Sequence, residues 1–271
     1  MRMRSCGVLG TAMRADSFFA EKYGSRTRAK AVLQKGLIVR GGRSLSPSDE
    51  IRDGDKFIFL SEDSLLVSRG GYKLERGLTA FSQNVENCVF ADLGASTGGF
   101  CEVLLSRGAR RVFAVDVGKG QLAPSLAHDP RVVVMDETNA RYLRREDFDM
   151  PLDGVVSDLS FISLSLILPV ISALLDRGGR AFVLFKPQFE CGGRGLGKSG
   201  ILPVKYHAAL LSEFYERCLS ALLAPMSIVN APIHAKKNVE YIVFLQKDGR
   251  QISREEFLRL ATERRFPEEK S

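Results

Sequence analysis

The chain has 271 residues and a net charge of +7, a length at which a full α/β core and a small second domain can both form. Its cysteines lie far apart without a C-x-x-C pair, which argues against a disulfide scaffold or clustered zinc site and fits a cytoplasmic compartment: Cys6, Cys88, Cys101, Cys191 and Cys218. The longest apolar run, residues 160–175, contains four serines and Pro169 and is too short to cross a bilayer.

The positive charge is concentrated at the N-terminus. Residues 1–52 hold 11 Lys/Arg against 4 Asp/Glu and so carry the whole excess, while the remaining residues are balanced. Such asymmetry indicates a nucleic-acid-binding surface attached to a near-neutral catalytic body. A basic tail without a function is the alternative that charge alone leaves open.

The first predicted elements are two short helices, Ser17 to Tyr23 and Arg26 to Lys35, with a break at Gly24 and an N-cap at Ser25. Strands are predicted at 37–40 and 56–60. The second helix places basic side chains on one face, and that face is a candidate phosphate-binding surface.

This stretch resembles an S4 RNA-binding domain over residues 13–60. The resemblance rests on Arg14, Asp16, Gly24, Arg26, Ala29, Val39, Gly41, Gly54 and Asp55, with Ala15 in place of the customary leucine. It implies that basic and polar side chains here contact RNA: Arg14, Lys22, Ser25, Arg26, Arg28, Lys30, Lys35 and Arg40.

A linker over 61–68 leads to a second unit over 69–250, in which strands and helices alternate. Strands are predicted near 88–93, 111–116, 131–135, 153–157, 180–185, 227–233 and 240–246, and helices at 99–107, 162–175 and 205–223. This alternation predicts a Rossmann-like α/β fold with a mostly parallel seven-stranded sheet and an antiparallel last strand. Residues 251–271 form a tail, helical in pattern around 255–263, with no assigned role.

The most informative segment is residues 90–100, FADLGASTGGF, an apolar strand that ends in an acid and a loop of small residues. Such a loop lets a nucleoside-like cofactor approach the backbone. It lacks the G-x-G-x-x-G spacing and the lysine that bind phosphates, and S-adenosylmethionine has no phosphate. The predicted cofactor residues are Asp92, Gly94, Ala95, Ser96, Thr97, Gly98, Gly99, Phe100, Asp116 and Asp136. A plain strand-to-helix connection is the alternative.

Further charged residues fall at strand ends, where functional groups of open α/β sheets gather. Asp158 and Lys186 end two strands, and Glu240 begins the last strand, whose antiparallel direction brings it to the same edge. Lys73 precedes the first strand in a glycine-rich segment that we expect to fold over the site. Each residue taken alone also fits a surface charge or a helix cap.

Together these residues resemble the Lys-Asp-Lys-Glu tetrad of the FtsJ-like RNA 2′-O-methyltransferases. With the S4-like unit in front, the chain resembles the TlyA/hemolysin-A family through SRGGYKL, DLGASTGGF, AVDVGKGQL, ETNARYL, DLSFISL, FKPQFE and NVEYIVFL. The resemblance implies methyl transfer from S-adenosylmethionine to a ribose 2′-hydroxyl of cytidine in ribosomal RNA, without a metal. Lys186 is the expected base, oriented by Asp158, with Lys73 as the nearby cation and Glu240 positioning Lys73 or the ribose.

Three segments depart from the family pattern. Lys119 replaces a frequent tyrosine, residues 235–238 replace usual glycines beside Glu240, and residues 64–68 lack an aromatic side chain. These changes predict altered cofactor contacts and a different coupling between RNA docking and cofactor binding.

Residues 192–199 match the phosphate-loop pattern G-x-x-x-x-G-K-[ST]. A true phosphate loop runs directly into a helix, whereas Gly200 and Pro203 follow here. We therefore expect a basic loop in which Arg194 and Lys198, together with Arg69, contact RNA phosphates.

The predicted partner is ribosomal RNA or a ribosomal subunit, bound by a monomer that does not associate with membranes. One rival is a ribosome-binding module that has lost its chemistry, which the complete tetrad and glycine loop argue against. A membrane-active hemolysin is the other, and neither a spanning segment nor a long basic amphipathic helix supports it.

Overall fold

The structure is a computed structural model that describes residues 13–34, 36–40, 43–52, 54–55, 57–59, 68, 70–197, 199–231 and 237–263. The chain divides into two compact units, Met1–Leu65 and Leu66–Ser271. Among the predicted RNA-binding residues, Lys35, Arg69 and Lys198 lie outside the described residues, as does most of the predicted linker.

The first unit contains short helices and strands. Its helices are α1 (Ala15–Phe18), α2 (Ala20–Tyr23) and α3 (Arg26–Gln34), and its strands are β1 (Met13–Arg14), β2 (Ile38–Arg40), β3 (Arg43–Ser44), β4 (Glu50–Ile51) and β5 (Phe57–Phe59). Strand β1 pairs with β4, and β2 lies between β3 and β5. The predicted first helix is thus two short helices that meet at Phe19, and Gly24 ends the second with a φ of 77°.

Apolar residues from these helices and strands form the core of the first unit. Phe19 packs edge-on against Phe57 with ring centroids 5.1 Å apart, and Ala29 and Leu33 face the same core from α3. Because this packing fixes α3, its basic residues stay on the outer side.

The second unit is built on a seven-stranded sheet. Its strands are β6 (Val89–Leu93), β7 (Arg111–Val115), β8 (Val132–Met135), β9 (Leu152–Ser157), β10 (Leu175–Phe185), β11 (Leu223–Asn230) and β12 (Tyr241–Lys247), in the order β11-β12-β10-β9-β6-β7-β8. Strand β12 is antiparallel to both neighbours, and the pairs from β10 to β8 are parallel. The predicted fold class is confirmed.

Helices cover both faces of this sheet. They are α4 (Gly71–Ala80), α5 (Gly99–Ser106), α6 (Pro124–Ala127), α7 (Leu168–Leu174), α8 (Pro187–Glu190), α9 (His207–Ser220) and α10 (Arg254–Glu263). One core lies under α7, α9 and α10, and the other lies under α4, α5 and α6. Among the described residues, no helix is long and apolar enough to cross a membrane.

The predicted helix over 162–175 begins later than expected. Residues Leu164–Leu166 form a 3₁₀ turn, and the α-helix starts only at Leu168, with Pro169 in its first turn. Proline is favoured there because its missing N–H needs no helical partner at that position. The segment after Asp158 is therefore a loop rather than the start of a helix.

The C-terminal segment contributes to the second unit's core. Phe257 of α10 is fully buried and packs against Tyr215, with ring centroids 5.6 Å apart. The Tyr215 hydroxyl donates a hydrogen bond of 2.6 Å to the Ile252 carbonyl. Residues 251–263, which we predicted from the sequence to belong to a separate tail, thus help to cover the sheet.

Candidate active site

The predicted tetrad comes together at one edge of the sheet. Asp158 follows β9, Lys186 follows β10, and Glu240 precedes β12, so the antiparallel strand places its start beside the ends of its neighbours. Lys73 reaches this edge from α4. The four side chains therefore arrive from four separate elements.

The tetrad forms a continuous chain of opposite charges. The Nζ atom of Lys73 lies 2.8 Å from Glu240 Oε2 and 3.6 Å from Asp158 Oδ2. The Nζ atom of Lys186 lies 2.6 Å from Asp158 Oδ1. Asp158 thus bridges the two lysines, and the Lys186 side chain is 8% exposed against 22% for Lys73.

Lys73 lies on a regular helix and not in a loosened glycine segment. Leu74 and Leu78 of α4 are fully buried four residues apart, which anchors one face of the helix. A Cβ atom at Gly77 would lie 2.5 Å from Cγ2 of Ile242 on β12. Only glycine allows this close approach, and the approach brings Lys73 within reach of Glu240.

The charge on Lys73 is set by opposing effects. Burial disfavours its ammonium form, but the carboxylates of Asp158 and Glu240 outweigh burial and raise the pKa of Lys73 above its usual value. Lys73 is consequently the permanent cation of the site.

Two contact residues of the tetrad were missed in the sequence. Lys186 Nζ donates to Ser160 Oγ at 2.8 Å, and Gln188 Nε2 donates to Glu240 Oε1 at 3.1 Å. Each lies two residues beyond a tetrad member, after Asp158 and after Lys186. Their position just past a strand end is the feature of the sequence that could have identified them.

The acids after β7 and β8 hold the loops at the sheet edge. Asp116 accepts hydrogen bonds of 2.8 Å from the backbone N–H groups of Ser96 and Gly118. Asp136 accepts one of 2.7 Å from Gly120 N–H. Both carboxylates are half-buried, so each serves loop structure and remains accessible to a ligand.

Close packing explains why the glycine loop after β6 consists of small residues. A Cβ atom at Gly98, which has a φ of +96°, would lie 2.3 Å from Leu126, and one at Gly99 would lie 2.1 Å from Ser68 Oγ. Ala95 and Phe100 are buried in the core, which leaves Ser96 and Thr97 as exposed side chains of the loop. The small residues therefore shape the loop from within.

Asp92 lies beneath this loop and not on its surface. It is fully buried and accepts a hydrogen bond of 3.1 Å from Cys101 Sγ. Its Oδ1 atom has no hydrogen-bond partner among the described residues. Burial, opposed by the Cys101 hydrogen bond and reinforced by Asp158, raises the pKa of Asp92 to about 7. Asp92 supports the loop from below. Because it is fully buried, its side chain has no exposed surface for the predicted direct contact with a cofactor.

A cavity of about 470 Å³ opens beside the tetrad. Its wall includes Gly94 and Asp116 from the predicted cofactor set, Ser160 from the tetrad side, and apolar Leu166 and Ile167. A carboxylate can accept sugar hydroxyls and apolar side chains can enclose a flat base. These residues fit the adenosyl group of S-adenosylmethionine.

An exposed aromatic residue stands at the mouth of the cavity. Phe161 is 90% exposed and adopts a φ of +62°, which is unusual for a bulky residue. Its ring lies 5.0 Å from that of Phe189, and the Phe189 ring in turn lies 5.8 Å from Lys186 Nζ. Together they form an aromatic surface next to the tetrad.

The loop over 192–200 is not a phosphate loop. Residues 199–203 are not helical, which agrees with the expectation from Gly200 and Pro203. Asn238 fixes the loop, since its side chain accepts from Leu202 N–H at 2.8 Å and donates to the Gly200 carbonyl at 2.9 Å. Arg194 is exposed in this loop.

The basic residues of the first unit have different roles. Arg14 and Arg26 both contact the buried carboxylate of Asp16, at 3.2 and 3.1 Å. Their own side chains are 50% and 59% exposed. Ser25 caps α3 by accepting from Arg28 N–H at 3.2 Å. The exposed basic side chains of α2 and α3 are Lys22, Arg26, Arg28 and Lys30.

Arg40, one of the predicted RNA-binding residues, makes hydrogen bonds within the first unit. Its guanidinium donates to Asp55 at 2.6 Å and to the Glu50 carbonyl at 2.7 Å. Its side chain is only 14% exposed, because these bonds hold it along the strands. Arg40 thus supports the fold of the first unit.

The part of the chain that the structure describes contains no group of three or more His, Cys, Asp or Glu side chains arranged to hold a metal ion. Lys119, noted in the sequence as a departure, pairs with Glu137 at 3.0 Å, and both side chains are exposed. This pair lies on the loops that carry Asp116 and Asp136.

The chain resembles several known proteins. Residues 66–247 match the FtsJ-like methyltransferase family. The chain is 43% identical over 180 residues to the 16S/23S rRNA (cytidine-2'-O)-methyltransferase TlyA of Mycobacterium tuberculosis, covering 66% of this chain and 67% of that one. It is 37% identical over 249 residues to YqxC of Bacillus subtilis, named as a candidate rRNA methyltransferase, covering 88% of each. A solved structure of a candidate hemolysin from Streptococcus thermophilus aligns with a TM-score of 0.69 at 34% identity, over 92% of this chain and 94% of that one.

The sheet order, the loop after the first strand of the sheet and the charged chain at its edge define a methyltransferase of the Rossmann-like class. The chain belongs to the FtsJ-like methyltransferases and, within them, to the TlyA/hemolysin-A family.

Proposed function

We propose that this enzyme methylates the 2′-hydroxyl of a cytidine ribose in ribosomal RNA, with S-adenosylmethionine as the methyl donor. The observation that carries the proposal is the charged chain of Glu240, Lys73, Asp158 and Lys186 beside a cavity suited to an adenosyl group. The nucleotide and the ribosomal target follow from the relatives named above.

Lys186 is the proposed general base. A ribose hydroxyl must lose its proton as it attacks, and the acceptor must be a neutral amine within hydrogen-bond reach. Lys73 is unsuited, because two carboxylates hold its proton. Lys186 shares Asp158 with Lys73 and contacts Ser160 in the wall of the cavity. Lys186 is then the amine that takes the proton, while Asp158 fixes its position.

The cofactor is proposed to lie along the glycine loop and the two acids. When bound, S-adenosylmethionine supplies a methyl carbon activated by its sulfonium. The Oδ1 atom of Asp116 accepts from Gly118 and Gln121, whereas Oδ2 accepts one backbone N–H, from Ser96, and retains a lone pair for a ribose hydroxyl. The proposed binding residues are Gly94, Ala95, Ser96, Thr97, Gly98, Gly99, Phe100, Asp116 and Asp136, with Asp92 supporting them from below.

RNA is proposed to contact both units. The exposed cations of α2 and α3, together with Arg14, Arg194, Lys198, Lys35 and Arg69, supply charge for phosphates. Phe161 supplies a face on which an unstacked base can lie. These contacts bring the ribose to Lys186.

Lys186→Ala tests the assignment of the base. We expect methyl transfer from labelled S-adenosylmethionine to ribosomal RNA to fall by at least about 100-fold, because a positioned base contributes roughly this much. RNA affinity, measured by filter binding, should change little. Lys205→Ala, which removes the same charge from an exposed position, is the matched control. Substantial methyl transfer by Lys186→Ala would remove Lys186 from the reaction.

A further inference from the structure

Ser160 connects the proposed base to the cofactor cavity. Its hydroxyl oxygen accepts the 2.8 Å hydrogen bond from Lys186 Nζ, and the same residue forms part of the cavity wall. Among the described residues Ser160 makes no other side-chain hydrogen bond that would serve the fold, and it is exposed. Its side chain is therefore directed to the site and not to packing.

The valence of an amine gives this contact a specific meaning. A neutral lysine amine has two N–H bonds and one lone pair. The Nζ atom of Lys186 makes a hydrogen bond of 2.8 Å to Ser160 Oγ and an ion-pair contact of 2.6 Å with Asp158 Oδ1. The hydrogen bond to Ser160 fixes the direction of one N–H bond, and the negative charge of Asp158 favours the second N–H bond over the lone pair on its side.

The ion pair with Asp158 would not achieve this alone. Without the hydrogen bond to Ser160, the amine could rotate about its Cε–Nζ bond and point its lone pair in several directions. The side chain of Lys186 is 8% exposed, so few water molecules can replace a missing acceptor. Proton transfer depends on the direction of the lone pair as well as on distance.

We propose that Ser160 is a positioning residue that fixes the rotation of the Lys186 amine, so that its lone pair faces the ribose hydroxyl at the edge of the cofactor cavity. This inference rests on the proposed function of Lys186 as the base. It adds a residue that acts through Lys186, without touching the reacting atoms.

The test compares Ser160→Ala and Ser160→Thr with the wild-type enzyme under saturating RNA and S-adenosylmethionine. We expect Ser160→Ala to lower kcat roughly 10- to 100-fold, the range for a lost hydrogen bond to a charged or reacting group. Dissociation of S-adenosylmethionine, measured by calorimetry, should stay within about threefold, as for a mild surface change. Ser160→Thr keeps the hydroxyl and should restore most of kcat.

The split between kcat and KM separates positioning from a structural effect. Loss of orientation at Lys186 lowers kcat and kcat/KM together, whereas a distorted site raises KM. The KM values for RNA and S-adenosylmethionine should therefore stay within about threefold of the wild type in Ser160→Ala, and kcat should return in Ser160→Thr. Ser220→Ala removes an exposed hydroxyl that donates to the Glu216 carbonyl, and this variant should match the wild type.

Two results would overturn the inference. One is a Ser160→Ala enzyme with wild-type kcat, and the other is a loss of kcat that Ser160→Thr does not restore. Lys186→Ala, assayed in parallel, keeps the two proposals apart. If Lys186→Ala is active, the base assignment fails. If Lys186→Ala is inactive while Ser160→Ala is unchanged, only the role of Ser160 fails.

Discussion

At the scale of single residues, Asp92 shows how burial and function meet in this fold. Its carboxyl group is sealed beneath the glycine loop, where the Cys101 thiol donates a hydrogen bond to its Oδ2. A charged carboxylate there would be poorly solvated. Because its pKa is about 7 in the folded protein, the group carries a proton at mildly acidic pH.

Asp92→Asn is expected to change how stability depends on pH. The pKa of Asp92 is raised from the value of an unfolded aspartate, about 3.9, to about 7. The folded state thus binds a proton that the unfolded state has lost, and this favourable contribution disappears as pH rises through the folded pKa. Asp92→Asn lacks this dependence on pH. The free energy of unfolding of Asp92→Asn minus that of the wild type should therefore rise by on the order of 2 kcal/mol from about pH 5 to about pH 8.

Denaturant unfolding at several pH values measures this difference. Asp149→Asn, at an exposed aspartate, is the control and should show no comparable trend. A constant difference between Asp92→Asn and wild type over the whole pH range would contradict the buried, proton-binding state of Asp92.

At the scale of elements, the approach of α4 to β12 controls the tetrad. Lys73 lies on α4, Glu240 precedes β12, and Gly77 lets the two elements lie close together at Ile242. The side chain of Arg76 adds a hydrogen bond of 2.6 Å from Nε to the Asn230 carbonyl at the end of β11. The 2.8 Å contact between Lys73 and Glu240 is thus a consequence of helix packing.

Gly77→Ala is expected to destabilise the protein by about 1–3 kcal/mol, as overpacking does, despite the better helix propensity of alanine. The new methyl group would meet Cγ2 and Cβ of Ile242, which are close to the backbone and cannot turn away. Methyl transfer should fall as Lys73 moves away from Glu240.

A double-mutant cycle with Ile242→Ala tests the proposed cause. Removing the Ile242 side chain should make Gly77→Ala much less costly, so that the two effects are not additive. Strict additivity of the two changes in unfolding free energy would show that the contact with Ile242 is not responsible.

The elements also show what sequence reasoning could reach. Asp158, Lys186 and Glu240 were predictable, since strand ends in an α/β sheet share one edge. The helix around Lys73 was not predictable, because two glycines precede Tyr72 and a third, Gly77, is explained only by its neighbour Ile242. Ser160 and Gln188 were also missed. Their positions just past strand ends were visible in the sequence, but their partners, Lys186 and Glu240, are distant in sequence.

At the scale of the whole molecule, the basic excess of the first unit divides into structural and exposed cations. Arg26 is 59% exposed at its side chain while contacting Asp16, and Arg40 is 14% exposed while held by Asp55. Counting charges in the sequence could not make this distinction. Only the exposed cations are available to neutralise phosphates.

Arg26→Ala is expected to weaken binding to ribosomal RNA and to reduce the slope of log affinity against log salt by about 0.7 to 0.9, the loss of one phosphate contact. Arg40→Ala is the contrasting variant, and it should lower thermal stability while leaving the salt slope near that of the wild type. Filter binding over a range of salt concentrations measures both. A reduced slope for Arg40→Ala with an unchanged slope for Arg26→Ala would reverse our assignment.

The central claim is that the methyl group is placed on a ribose 2′-oxygen of ribosomal RNA. The most direct measurement is to incubate purified enzyme with labelled S-adenosylmethionine and unmethylated ribosomal RNA, digest the RNA to nucleosides and identify the labelled product by mass spectrometry. We expect the label in 2′-O-methylcytidine with wild-type enzyme and at least about 100-fold less of it with Lys186→Ala. Label on a base, or on no nucleoside at all, would contradict the account.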